Sequence, residues 1–131
     1  MIFEKIEVGL KNFAESIVTE TDTALSVGSG SLKVLATPKM LALIEKAAAD
    51  LLEKNLSPEY TSVGTLLNVK HSSPSPVGIK YFAEVEIIEV DGRKIIFEVV
   101  AKDDCGEIGR GNHERFIVER EKFQAKANAK V

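Results

Sequence analysis

A chain of 131 residues is long enough for one domain that buries roughly two-thirds of the surface its unfolded form exposes, so it requires neither a metal nor a disulfide staple. Hydrophobic residues at 44% and charged residues at 28% place it among globular proteins and exclude a wholly disordered chain. The balance of 17 basic against 20 acidic side chains, a formal charge of −3 without a long block of either sign, lacks the basic excess that phosphate backbones attract, so nucleic acid is not expected as a partner.

The opening segment MIFEKIEVGLKNF sets Glu4, Lys5 and Glu7 among its apolar residues, so no secretory signal is expected there. No apolar run approaches the roughly 18 residues of a membrane-spanning helix, and no membrane association is expected. NFAESIVTE reads as a first strand, and Gly28-Ser29-Gly30 as a mobile rim before the main helix. That helix starts at Thr37, whose hydroxyl is placed to cap the first free amides, with Pro38 at the first helical position. Met40, Leu41, Ile44, Ala47, Ala48, Leu51 and Leu52 then recur at helical spacing opposite Lys39, Lys46, Asp50 and Glu53.

After Ser57-Pro58, TSVGTLLNVKH reads as a strand and SSPSPVG as a loop whose prolines prevent continued pairing. YFAEVEIIEV and RKIIFEVVAK flank Asp91-Gly92, a dipeptide suited to the two central positions of a type I′ hairpin turn. A turn at DDCGE leads into IGRGNHERFIVER, where alternation puts Gly109, Gly111, His113 and Arg115 on one face. Cys105 is the one cysteine; its acidic neighbours Asp103, Asp104 and Glu107 disfavour a thiolate, and a reducing cytoplasm fits best. The working unit is residues 1–123, and residues 124–131, QAKANAKV, are expected to form a flexible tail. Strand, irregular segment, helix and four strands in that order predict an α+β domain, an antiparallel sheet wrapped around one long central helix.

The helix start ATP around Thr37, Glu45 eight residues on, VGT and KH in the next strand, then VDGR, GEIGRGNHERF and EKF, follow one another over most of the chain. In that order and spacing the sequence resembles the fluoroacetyl-CoA thioesterase-like family of hotdog proteins. The resemblance implies a hotdog fold and hydrolysis of a small or medium acyl-CoA through a Thr, Glu and His set, carried here by Thr37, Glu45 and His71. It implies that Gly64 and Arg115 line the substrate site, that coenzyme A enters as part of the substrate with no further cofactor, and that the protein works as a homodimer.

Each residue also has a plainer reading. Thr37 before Pro38 is an ordinary helix cap in isolation. Glu45 falls near Pro38, Leu41 and Leu52 on the helical wheel, at the border of the apolar face, where it can orient a base or simply reach water. His71 ends its strand beside a loop and is the candidate general base, against a surface histidine hydrogen-bonded locally. Arg115 can meet an anionic part of coenzyme A or pair with a nearby glutamate. His113 and Arg115 do not form a metal site, since neither HExxH nor a Cys/His spacing is present. GRG lacks the strand-to-helix context of a dinucleotide site, and Gly109 and Gly111 read better as close sheet packing. No aromatic residue lies between Phe13 and Tyr60, so the rim supplies no bulky aromatic gate and fluoroacetyl selectivity is not implied. A noncatalytic acyl-CoA-binding hotdog protein and an acyl-CoA hydratase or dehydratase are the alternative functions.

Overall fold

The computed structural model describes residues 3–131. Its core is built by the long helix, whose Met40, Leu43, Ile44, Ala47, Ala48, Leu51 and Leu52 are all buried. Leu43 takes the place expected for Leu41, which is only half-buried against the same core. In chain order the elements are β1 (Lys11–Ile17), a short 3₁₀ turn (Glu20–Asp22), α1 (Ala24–Val27), α2 (Thr37–Glu53), β2 (Tyr60–His71), β3 (Lys80–Asp91), β4 (Lys94–Asp103), β5 (Gly106–Glu119) and α3 (Arg120–Asn128).

The five strands form one antiparallel sheet in the order β1-β3-β4-β5-β2. Period-two alternation turns Tyr81, Ala83, Val85 and Ile87 of β3, and Ile95, Phe97, Val99 and Ala101 of β4, inward against α2, giving the expected single sheet wrapped around one helix. Gly109 lets the sheet close on α2, and Gly111 lets β5 close on β2. A Cβ on Gly109 would sit 2.9 Å from Met40 Sδ of α2, and one on Gly111 would sit 2.8 Å from Val69 Cα of the neighbouring strand.

The β3–β4 hairpin forms as expected, but its turn is shifted by one residue. Asp91 pairs with Lys94, so the central residues are Gly92 and Arg93. Gly92 has φ +60°, and no described non-glycine residue has positive φ, which excludes a type I′ turn. With positive φ at the first central residue alone, the turn has the type II′ pattern, a form in which only glycine is needed there. α3 runs through Asn128 and so takes in most of residues 124–131. None of its residues is buried, so local helix propensity and not core packing accounts for it.

Candidate active site

Ala36, not Thr37, is the N-cap of α2, and no side chain caps this end. The Ala36 carbonyl accepts from Lys39 N at 3.0 Å and Met40 N at 3.1 Å, which moves Thr37 to the first helical position and Pro38 to the second. The Thr37 hydroxyl is thereby released from the capping duty expected of it. It lies 2.7 Å from His71 Nδ1, at the end of β2.

Several backbone bonds fix this meeting. Leu35 N donates to Ser75 O at 2.8 Å, Ala36 N donates to Asp22 O at 2.9 Å, and Val34 bridges Pro76, so the lead into α2 is tied to the loop after His71. That loop is held in turn by Ser72 N to Ile108 O at 2.7 Å and by the buried Ser75 hydroxyl donating to Asp103 Oδ2 at 2.7 Å. An open cavity of about 320 Å³ lies at the pair, lined by Thr37, His71, Ala24, Ser29, Val34, Leu35 and the 72–74 loop. Gly28 closes α1 in the left-handed region at φ +89° and aims Ser29 into this rim.

Burial lowers the pKa of His71 below the usual histidine value, with the Ser73 backbone acting weakly the other way. Its Nε2 is buried and has no hydrogen-bond partner among the described residues. The ring is therefore neutral near pH 7 and free to accept a proton.

Glu45 does not join this pair. It lies eight residues further along α2, a rise of about 12 Å, and its carboxylate faces Arg115 Nη1 at 3.6 Å. Gly64 makes the space: a Cβ there would collide with Glu45 Oε2 and approach Arg115 Nη1 to 3.2 Å. Gly64 thus forms a notch that receives the Glu45 carboxylate. Arg115 is 6% exposed and belongs to the face that alternation predicts. Its pairing with a glutamate, the plainer of its two readings, is the one present in the chain.

The residue that sequence reasoning left without a role is His113. It is fully buried, donates from Nδ1 to Leu66 O at 2.8 Å, and accepts at Nε2 from Arg115 Nη1 at 3.2 Å. The signal available in the sequence was its position two residues before Arg115 on the inward face. The set expected from the sequence is therefore divided within one chain into a Thr37–His71 pair and a Glu45–Arg115–Gly64 cluster. A larger concavity of about 860 Å³, on the outer face of β1, β3 and β4, contains none of these groups, and its Lys11 and Glu84 are already paired with Glu86 and Lys102. Among the described residues no cluster of metal-ligating side chains occurs, and no helix is long and apolar enough to cross a membrane.

Comparison with known proteins adds a consistent set of relatives. A family model described as fluoroacetyl-CoA-specific thioesterase matches residues 18–121. The fluoroacetyl-CoA thioesterase of Streptantibioticus cattleyicolor is 37% identical over 99 residues, covering 76% of this chain and 71% of that protein. A solved fluoroacetyl-CoA thioesterase superposes with a TM-score of 0.90 at 30% identity, covering 96% of this chain and 98% of that one. A threonine-to-serine variant in complex with acetyl-CoA superposes at 0.91, with 30% identity and coverage of 96% and 99%. A hot-dog-like protein from Thermanaerovibrio acidaminovorans, 21% identical with a TM-score of 0.87 over 97% of this chain and 94% of that one, shares the fold.

Proposed function

This chain belongs to the family of fluoroacetyl-CoA-specific thioesterases, and on that premise we propose that it hydrolyses a small or medium acyl-CoA with Thr37 and His71 as its proton-transfer pair. The observation that carries the reading is the 2.7 Å contact between the Thr37 hydroxyl and His71 Nδ1 at the mouth of a cavity. With the ring proton on Nε2, Nδ1 accepts from Thr37, the arrangement that activates a hydroxyl or a water held by it. Attack on the thioester carbonyl breaks the C–S bond. The proton taken by His71 passes to the departing sulfur, leaving a free acid and coenzyme A thiol once water has entered.

The negative charge that develops on the carbonyl oxygen falls near the N-terminus of α2, whose dipole favours it. The Thr37 amide at that terminus has no hydrogen-bond partner among the described residues. All of these proton transfers are supplied by side chains, so the reading needs no cofactor beyond the coenzyme A that the substrate brings. A cytoplasmic location suits the single free thiol of Cys105.

Glu45 enters this site from a second copy of the chain. β2 is an edge of the sheet, and its outer side offers twelve residues of strand without a neighbour among the described residues. Antiparallel pairing of two such edges, about a two-fold axis midway between Gly64 and His71, brings His71 of one protomer towards the Gly64 notch of its partner. Thr37 and His71 of one protomer then share a site with Glu45 of the partner subunit, where a carboxylate anchored by a buried arginine orients the substrate or the base.

The test is thiol release from a panel of acyl-CoAs. The wild type is expected to release thiol, and Thr37→Val and His71→Ala to lose about 10²-fold or more in rate. Binding without turnover, hydration of a double bond without thiol release, or full activity in His71→Ala would overturn the reading.

A further inference from the structure

A buried guanidinium needs an acceptor for each of its edges, and Arg115 finds them on two residues, Ser62 and His113, with Glu45 as its ionic neighbour. Its Nε donates to Ser62 Oγ at 2.8 Å and its Nη2 to Ser62 O at 3.1 Å. Nη1 is the nitrogen that faces Glu45, at 3.6 Å, and its hydrogen-bond acceptor is not an oxygen but His113 Nε2, at 3.2 Å.

A histidine nitrogen serves as acceptor only when the ring is neutral and the other nitrogen carries the proton. Both conditions are built in. The pairing of β2 with β5 shifts register between Gly64 and Leu66, and the Leu66 carbonyl accepts from His113 Nδ1 at 2.8 Å, which fixes the tautomer. Burial is the largest influence and holds the His113 pKa below the usual histidine value, with the Arg115 charge acting the same way; the hydrogen bond to Leu66 and, less strongly, Glu45 and Glu114 oppose it. Phe97 stacks on the ring at 6.1 Å between centroids and an interplanar angle of 26°, holding its plane. The side chain has no exposed surface and so no direct part in binding from solvent.

We infer that His113 is a positioning residue: it holds Arg115 Nη1 at the rim of the Gly64 notch, and Arg115 in turn holds the Glu45 carboxylate in the orientation catalysis requires. The inference rests on the thioesterase reading above for its effect on rate, but not for the geometry itself. It runs through a chain of contacts from the β2 irregularity to Leu66 O, to His113, to Arg115 and to Glu45.

Two variants separate the two ring nitrogens. His113→Gln places an amide oxygen near the Nε2 position and keeps an acceptor for Arg115, whereas His113→Asn keeps a donor for Leu66 O and loses that acceptor. His113→Asn is expected to lower kcat about tenfold or more with KM within about threefold, and His113→Gln to keep kcat within about threefold. An independent readout is the ¹⁵N order parameter of the Arg115 Nε–H, expected near about 0.85 in wild type and His113→Gln and below about 0.6 in His113→Asn.

Wild-type kcat in His113→Asn, equal losses of kcat in the two variants, or unfolding of both, which would make His113 a core residue only, overturns the inference. Should His113→Asn alone fail to fold, an active His113→Gln with an ordered Arg115 supports it, and an inactive one with an ordered Arg115 overturns it. If the wild type releases no thiol from any acyl-CoA while Arg115 order still depends on His113, the reaction is wrong and the positioning stands.

Discussion

The hydroxyl of Thr37 and Nδ1 of His71, 34 residues apart in sequence, lie 2.7 Å from each other because the first turn of α2 does not use Thr37 as its cap. The helix start and the catalytic proposal therefore make separable demands on one side chain.

Removing the Thr37 hydroxyl should cost activity and little stability. Thr37→Val is expected to lose at least about 10²-fold in kcat/KM while changing unfolding free energy by less than about 0.5 kcal/mol, against the ~1 kcal/mol typical of a lost cap. Thr37→Ser, which keeps the oxygen, should retain most of the rate. Acyl-CoA kinetics and urea unfolding of the three proteins check both parts. A fall in stability matching the loss of activity would return Thr37 to the capping role.

The pH dependence has a defined sign. His71 acts as a base in its neutral form and burial lowers its pKa, so kcat/KM should stay level from pH 8 down through about 6.5 and fall only as pH drops through the lowered value. Stability moves the same way. His71 and His113 both have folded pKa values below their unfolded ones, so below about pH 6.5 the unfolded chain binds more protons and stability is lost progressively towards the folded values. Parallel pH profiles of kcat/KM and of the urea midpoint read the two effects. An acid limb beginning above pH 7 would contradict the lowered His71 pKa.

Two glycines that look alike in the sequence should respond differently to alanine. At Gly64 the new methyl meets the Glu45 carboxylate at the end of a side chain that can swing away, so Gly64→Ala should fold and lose about tenfold or more in kcat. At Gly111 the methyl meets the backbone of Asn68 and Val69 in the paired strand, which cannot give, and Gly111→Ala should lose about 1–3 kcal/mol of stability. Thermal melts and thiol-release assays on both variants check the contrast.

Much of the fold could be read from residue pattern because each segment states its own periodicity. The apolar spacing of α2, the alternation of β5 and the glycine at the hairpin each act locally, and each leads to the element found. What failed was the finer placement. The turn moved from Asp91-Gly92 to Gly92-Arg93 because a two-residue loop with one positive φ satisfies the strand register without straining Asp91. Sequence shows Thr37 as a cap because a cap is a local property, whereas its contact with His71 depends on tertiary bonds from Leu35 and Ala36. His113 was visible on the inward face, but its role depends on the Leu66 carbonyl, which a register shift on another strand directs towards it. Contacts of that kind leave no mark in the periodicity of either segment.

Glu45 is separated from the Thr37–His71 pair of its own chain, so a site shared between two protomers makes a sharp demand on the dimer. The direct measurement is the activity of a mixed dimer, made by co-expressing differently tagged Thr37→Ala and Glu45→Gln chains and purifying on both tags. In a shared site one of the two sites in each mixed dimer is intact, with Thr37 and His71 from the Glu45→Gln chain and Glu45 from the other. The doubly tagged dimer should then recover about half of wild-type activity while each homodimer stays inactive. A doubly tagged dimer no more active than either homodimer would contradict it.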